Sequence, residues 1–95
     1  MKEKKERAVV VTTAKRGVFF GYATDTDGDV IFLRKARMCV HWSSDMKGVL
    51  GLASIGPSSN CRISPPADGA FREITAVLEA TPEAIQKWEG APWKL

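Results

Sequence analysis

Ninety-five residues with 44% hydrophobic and 26% charged side chains make one small globular domain with a formal net charge of +3. No apolar run approaches the roughly 20 residues needed to cross a bilayer. The charged start Met1–Arg7 has no apolar stretch behind it, which argues against a secretory signal and for a cytoplasmic protein with no membrane partner. The two cysteines, Cys39 and Cys61, are too few to staple a small secreted fold and read as reduced thiols.

Taken in chain order, residues 1–7 form a flexible charged leader ahead of a single domain over 8–95. Ala8–Thr13 is β-branched and apolar and predicts a buried strand. After a turn at Lys15-Arg16-Gly17 comes a second strand, Val18–Ala23, in which Gly21 marks a bulge or a close backbone approach. Asp25-Thr26-Asp27-Gly28-Asp29 is a hairpin turn. It fails as a calcium loop, because its glycine comes too early and Ala36 stands where the bidentate glutamate belongs. Val30–Trp42 predicts one long strand, or two with a bend near Lys35-Ala36.

Ser43-Ser44-Asp45 offers an N-cap for a short helix over Met46–Ile55, stopped by Gly56-Pro57. Asn60–Ile63 predicts a short strand ended by Ser64-Pro65-Pro66. Residues 72–79 satisfy both periods: Phe71, Ile74 and Leu78 recur at helical spacing, whereas Ile74, Thr75 and Val77 favour a strand, and a strand is the reading adopted. Thr81-Pro82-Glu83 supplies a cap, a proline at the first helical position and an acid in the first turn. That helix ends near Glu89 at Gly90. The sum is an α+β domain, an antiparallel meander of five or six strands with two short helices.

The run Ala36–Trp42 sorts by face at a period of two. Met38, Val40 and Trp42 fall on one side, expected to be the buried one, and Arg37, Cys39 and His41 on the other, expected to be polar or functional. Cys39, His41 and Cys61 are metal-capable, but a structural zinc site needs four ligands and a catalytic one three plus water. Nothing orients Cys39 and His41 as a nucleophile pair, and no Gly-x-Ser-x-Gly elbow is present. The reading is therefore no catalytic residues, no metal and no cofactor.

Charge is concentrated in the middle of the chain. The first seven residues carry four bases and two acids, residues 15–62 seven bases and four acids, and the stretch from Ser64 onward three bases and five acids. The body lacks the basic excess that phosphate neutralisation gives a nucleic-acid binder, so nucleic acid is not the expected partner. A small anionic ligand fits better. Gly56-Pro57-Ser58-Ser59-Asn60-Cys61-Arg62 gathers hydroxyls, an amide and a guanidinium in one turn, either an anion-binding concavity or an ordinary polar loop.

Five segments carry a resemblance: Arg16–Gly21; Ala36–Trp42; Lys47–Ala53; Gly56-Pro57 with Cys61-Arg62-Ile63; and Thr81–Ala84 with Ala91-Pro92-Trp93. In this order the chain from Val9 to Trp93 resembles a family of short domains encoded by tailed phages and prophages. It is also similar to the anti-Thoeris sponges, oligomeric proteins that sequester cyclic ADP-ribose signals made by bacterial immune enzymes. The resemblance implies a non-catalytic binder of a cyclic nucleotide-like molecule in a pocket shared within a homo-oligomer.

Chemistry assigns the contacts. Arg16, Arg37 and Arg62 are expected on phosphates, Phe20 or Trp42 on a base, and Ser58, Ser59 and Asn60 on hydroxyls and phosphates. Nanomolar to low-micromolar capture needs about 8–12 kcal/mol. One stacked base supplies about 1–3 kcal/mol and each charged hydrogen bond about 1.5–3 kcal/mol, so a few such groups suffice in a preorganised pocket. The competing readings are a protein-binding inhibitor of a host defence enzyme and a small nucleic-acid accessory domain.

Overall fold

The computed structural model describes residues 5–14, 17–41, 48–58 and 61–92. The elements follow as β1 (Arg7–Thr13), β2 (Val18–Ala23), β3 (Val30–His41), α1 (Gly48–Ser54), β4 (Arg62–Ile63), β5 (Ala67–Arg72), β6 (Ile74–Glu79) and α2 (Pro82–Gly90). The six strands form one antiparallel sheet in the order β4-β3-β2-β1-β6, with β5 also on β3. The α+β class and the strand reading of the ambiguous 72–79 stretch are as expected from the sequence. Among the described residues no helix is long and apolar enough to cross a membrane.

The connection from β5 to β6 gives the sheet its shape. Only Glu73 separates them, yet β5 lies on β3 and β6 lies on β1, with β2 between. In a flat sheet the two would stand four strand spacings apart, about 19 Å. The two Cα steps from Arg72 to Ile74 span at most about 7 Å. The sheet must therefore curl until the end of β5 meets the start of β6, although the two strands do not pair along their length. Glu73 takes the turn with φ of 58°, and its carbonyl accepts the Ala14 N–H at 2.9 Å.

Curling buries both faces. Val9, Val11, Ala23, Ile31, Leu33 and Ala36 pack on the inner side with Phe19, Phe71, Ile74 and Val77. On the outer side Val10, Val18, Phe20, Cys39 and Ile63 meet Leu52 and Ala53 of α1 and Ala84 and Trp88 of α2. This is why three consecutive valines, Val9 to Val11, are all fully buried. Thr81 caps α2 by accepting the Ala84 N–H at 3.1 Å, and its hydroxyl also donates to Ser54 O of α1 at 2.7 Å. The two helices are thereby tied together over the sheet.

β3 bends where the sequence places the bend. Lys35 has φ of 55°, and the β3 registers with β2 and β5 both shift around it. Gly21 makes the bend possible. A Cβ there would sit 3.0 Å from Leu33 Cβ and 3.3 Å from Ala36 Cα, so β2 and the bend of β3 touch backbone to backbone.

Several details depart from the sequence reading. β1 starts at Arg7, one residue earlier than expected, and Glu6 pairs with Arg34. β5 has no counterpart in the sequence, because Ala67-Asp68-Gly69-Ala70 lacks β-branched residues and its strand state is imposed by pairing with β3. α1 begins at Gly48, and the Ser43–Asp45 cap falls outside the described residues.

The face assignment in Ala36–Trp42 is overturned. Arg37 and Cys39 are buried, whereas Val40 is 57% exposed. The expectation assumed that a small domain covers one sheet face. Here the helices cover the Arg37 and Cys39 side, and the curl covers the other side only as far as Met38.

Candidate functional site

Arg37 is the only charged residue among the described buried ones, at 6% exposure. The β2–β3 register sets it opposite Phe20, facing the end of α2. Its Nε donates to Ser64 O at 2.8 Å, Nη1 to Trp88 O at 2.6 Å and Glu89 O at 3.4 Å, and Nη2 to Ala91 O at 2.6 Å. The carbonyls of Trp88, Glu89 and Ala91 are those a helix leaves orphaned at its C-terminus, where the macrodipole is negative, and that of Ser64 belongs to the β4–β5 link. Arg37 is thus the C-terminal cap of α2. Burial lowers the pKa of its guanidinium, because water is withdrawn from the charge. Among the described residues its bonding partners are backbone carbonyls, whose dipoles face its positive charge.

Beside Arg37 opens a cleft of about 440 Å³, lined by Phe20 and Tyr22 of β2, Lys35 and Arg37 of β3, Pro66, and Glu89 and Ala91 at the end of α2. Its size lies within the usual range for small-molecule sites. The aromatic floor combines a stack and an edge-to-face contact: Phe20 stacks on Trp88 with centroids 5.3 Å apart and planes at 8°, and Tyr22 meets Phe20 edge to face at 5.5 Å and 76°. The Tyr22 hydroxyl donates to Glu89 Oε2.

Arg34 lies over the Tyr22 ring, 5.3 Å from its centroid. It also forks onto Glu6, with Nε–Oε2 at 2.8 Å and Nη2–Oε1 at 2.5 Å. The hydrogen bonds from Arg34 hold the Glu6 carboxyl below its ordinary pKa. The cleft therefore offers an ammonium and a guanidinium on one wall, a phenol and a carboxylate on another, and an aromatic floor.

Tyr22 is held neutral. Desolvation, the hydrogen bond to Glu89 and the charge of that carboxylate together push its phenol up to about 12. The folded state thus keeps a proton that the unfolded chain releases near pH 10. Stability contributed by this group is complete below pH 10 and falls as pH rises through 12. Tyr22→Phe is expected to flatten that alkaline fall. Urea titrations of both proteins from about pH 9 to pH 12 test this, and parallel curves would mean that the phenol is not held by Glu89.

Of the residues expected at a ligand site, the cleft brings together Phe20 and Arg37. Ser58 and Arg62 do not line it. Ser58 Oγ lies 3.8 Å from Cys61 Sγ, and Arg62 stands opposite His41 in the β3–β4 pairing. Arg16, Trp42, Ser59 and Asn60 lie outside the described residues. Cys39 and Cys61 sit in one apolar cluster with Leu52 and Ala53 of α1.

Tyr22, Lys35 and Glu89 were not picked out in the sequence. Lys35 carried one signal, its place at the predicted bend, where a residue at positive φ marks a constrained position. Tyr22 and Glu89 carried none, since 66 intervening residues hide a pair that only the docking of α2 brings together.

The chain belongs to the family of a domain of unknown function, DUF6948, whose model matches residues 6–88. No curated protein and no solved structure matches it.

Proposed function

We propose that this member of the DUF6948 family binds a small anionic, nucleotide-like ligand without catalysis, in the cleft between β2, the bend of β3 and the end of α2. In the fuller reading it is a phage or prophage counter-defence protein that sequesters a cyclic ADP-ribose-type immune signal in the host cytoplasm, working as a homo-oligomer. The observation that carries the reading is the pairing of the Lys35 ammonium and the dipole-held Arg37 guanidinium with the Phe20–Tyr22 aromatic floor in one cleft. Phosphate has cations to meet, and a base has the partly exposed Tyr22 ring to lie on, with the buried Phe20 ring set behind it. Glu89 disfavours a plain polyanion and favours a ligand that also presents hydroxyl or amino donors, as a nucleotide does. Arg37 contributes its field and its remaining N–H rather than a mobile side chain.

A thermal shift series against cyclic ADP-ribose isomers and cyclic oligonucleotides tests the proposal. At a hundredfold excess over the dissociation constant, binding adds about 2.7 kcal/mol, a rise of roughly 10 °C or more for a domain this small. Lys35→Asn is expected to abolish the rise while preserving the fold, because asparagine tolerates the positive φ at this position. A flat response to every compound well above micromolar concentration would sink the reading. It would favour the second one, an inhibitor docking on a host defence enzyme, for which Leu50 of α1 at 70% exposure and Ile55 just past its end at 39% offer apolar surface.

A further inference from the structure

β5 is an edge strand of the sheet. Among the described residues it has β3 on one side and no strand on the other. Proteins usually protect such an edge with lysines, a proline, a bulge or a covering element, because its unpaired N–H and C=O groups template further pairing. Within Ala67–Arg72 there is no lysine, proline or bulged residue. Pro66 before it and Glu73 after it, at φ of 58°, bound a straight six-residue rim.

Asp68, Ala70 and Arg72 share the exposed face of this strand. We propose that a second copy of this chain pairs antiparallel with this rim, about a two-fold axis through Ala70. That register sets each Asp68 opposite the second copy's Arg72, twice over, and each Phe71 opposite the second copy's Gly69.

The charges select this register over its neighbours. Centring the axis on Asp68 or on Arg72 puts like charges directly opposite each other, and centring it on Gly69 or Phe71 leaves each charge without its opposite. Asp68 Oδ1 accepts the Lys35 N–H of β3 at 2.9 Å, and a carboxylate has acceptor capacity for a guanidinium besides.

The same face carries the exposed apolar surface that the helices leave uncovered. Phe32, 61% exposed, stands opposite Ala70 on β3, and Val30, 45% exposed, stands opposite Arg72. A two-fold axis normal to the sheet keeps this face upward in both copies. The two Phe32 rings then flank the seam across a pair of small alanines, and the two clefts open on the same side of the assembly.

Sedimentation velocity on the full chain without ligand, from about 10 to 300 μM, reads the dimer directly. Wild type is expected to dimerise. Arg72→Asp and Asp68→Arg each replace two attractive pairs with two repulsive ones and are expected to weaken the dimer about tenfold or more. An equimolar mixture of the two variants restores both attractive pairs, and the dimer is expected to return in it. A wild-type monomer across this range, a dimer indifferent to Arg72→Asp, or a mixture of folded variants that stays monomeric would each overturn the proposal. Asp68 also holds the bend at Lys35, so where Asp68→Arg fails to fold, Arg72→Asp against Arg72→Lys decides, the first expected to dissociate and the second to remain dimeric. No ligand is added, so failure here removes the homo-oligomer from the proposed function but leaves ligand binding in the cleft to its own test, and a flat thermal shift leaves the dimer intact.

Discussion

Arg37→Ala is expected to lower stability by about 3–5 kcal/mol, as for a buried charge network that loses its centre. Four carbonyl bonds disappear together, those to Ser64, Trp88, Glu89 and Ala91. Each charged bond is worth about 1.5–3 kcal/mol, but the losses do not add, because water entering through the cleft re-solvates part of the carbonyl cluster. Domains of this size have total stabilities of about 5–15 kcal/mol, so the loss is a large share of the whole. The melting temperature should fall by roughly 15–30 °C. Arg37→Lys keeps the charge but cannot fork, and one ammonium does not reach carbonyls on both α2 and the β4–β5 link. Its loss should lie between zero and that of alanine, nearer to alanine. Urea unfolding of the three proteins checks the order. If Arg37→Ala unfolds at the wild-type midpoint, the guanidinium is a ligand group resting on the carbonyls rather than the cap of α2.

That expectation reverses what the residue type signals. In the sequence Arg37 stands beside Cys39 and His41 on an apparent polar face, where an arginine reads as a cation awaiting an anion. Strand period alone carries no information about which face a helix will cover. It sorted the side chains correctly and misnamed the sides, since Val40 is out and Cys39 is in. The bend at Lys35-Ala36, the close backbone approach at Gly21 and the cap at Thr81 were legible because each depends on local chemistry: a break in the strand, a missing Cβ, a hydroxyl before a proline. β5 was not, because Ala67–Arg72 owes its strand state to β3, more than 30 residues away. The cleft was half legible for the same reason. Phe20 and Arg37 stand on neighbouring strands and could be picked by type. Glu89 and Ala91 arrive through the docking of α2, and no local pattern announces where a helix end will fall.

The docking of α2 rests most on Trp88, and Trp88→Ala is expected to leave the domain largely unfolded at 25 °C. The indole is fully buried, its ring stacked on Phe20 and its Nε1 donating to Leu52 O at 2.9 Å. It therefore holds α2 to the sheet by packing and to α1 by a hydrogen bond. Truncating a buried tryptophan costs about 3–5 kcal/mol through lost burial and the cavity left behind. The orphaned Leu52 carbonyl adds about 1–3 kcal/mol. Together these approach the lower end of total stability for such a domain. Trp88→Phe separates the two contributions, since phenylalanine keeps the stack on Phe20 and loses only the donor and part of the volume. Its cost should be about 1–3 kcal/mol. The backbone carbonyl of Trp88 also accepts from Arg37, so α2 is pinned from its side chain and from its C-terminal end at once. Trp88→Phe and Arg37→Lys together should then cost more than the sum of the two separate losses, because each mutation leaves the other anchor as the one that holds α2. A double-mutant cycle by urea unfolding reads that excess. Strict additivity would mean that the packing of α2 and the capping of its end are independent, and that the cleft wall carrying Glu89 and Ala91 can survive the loss of either.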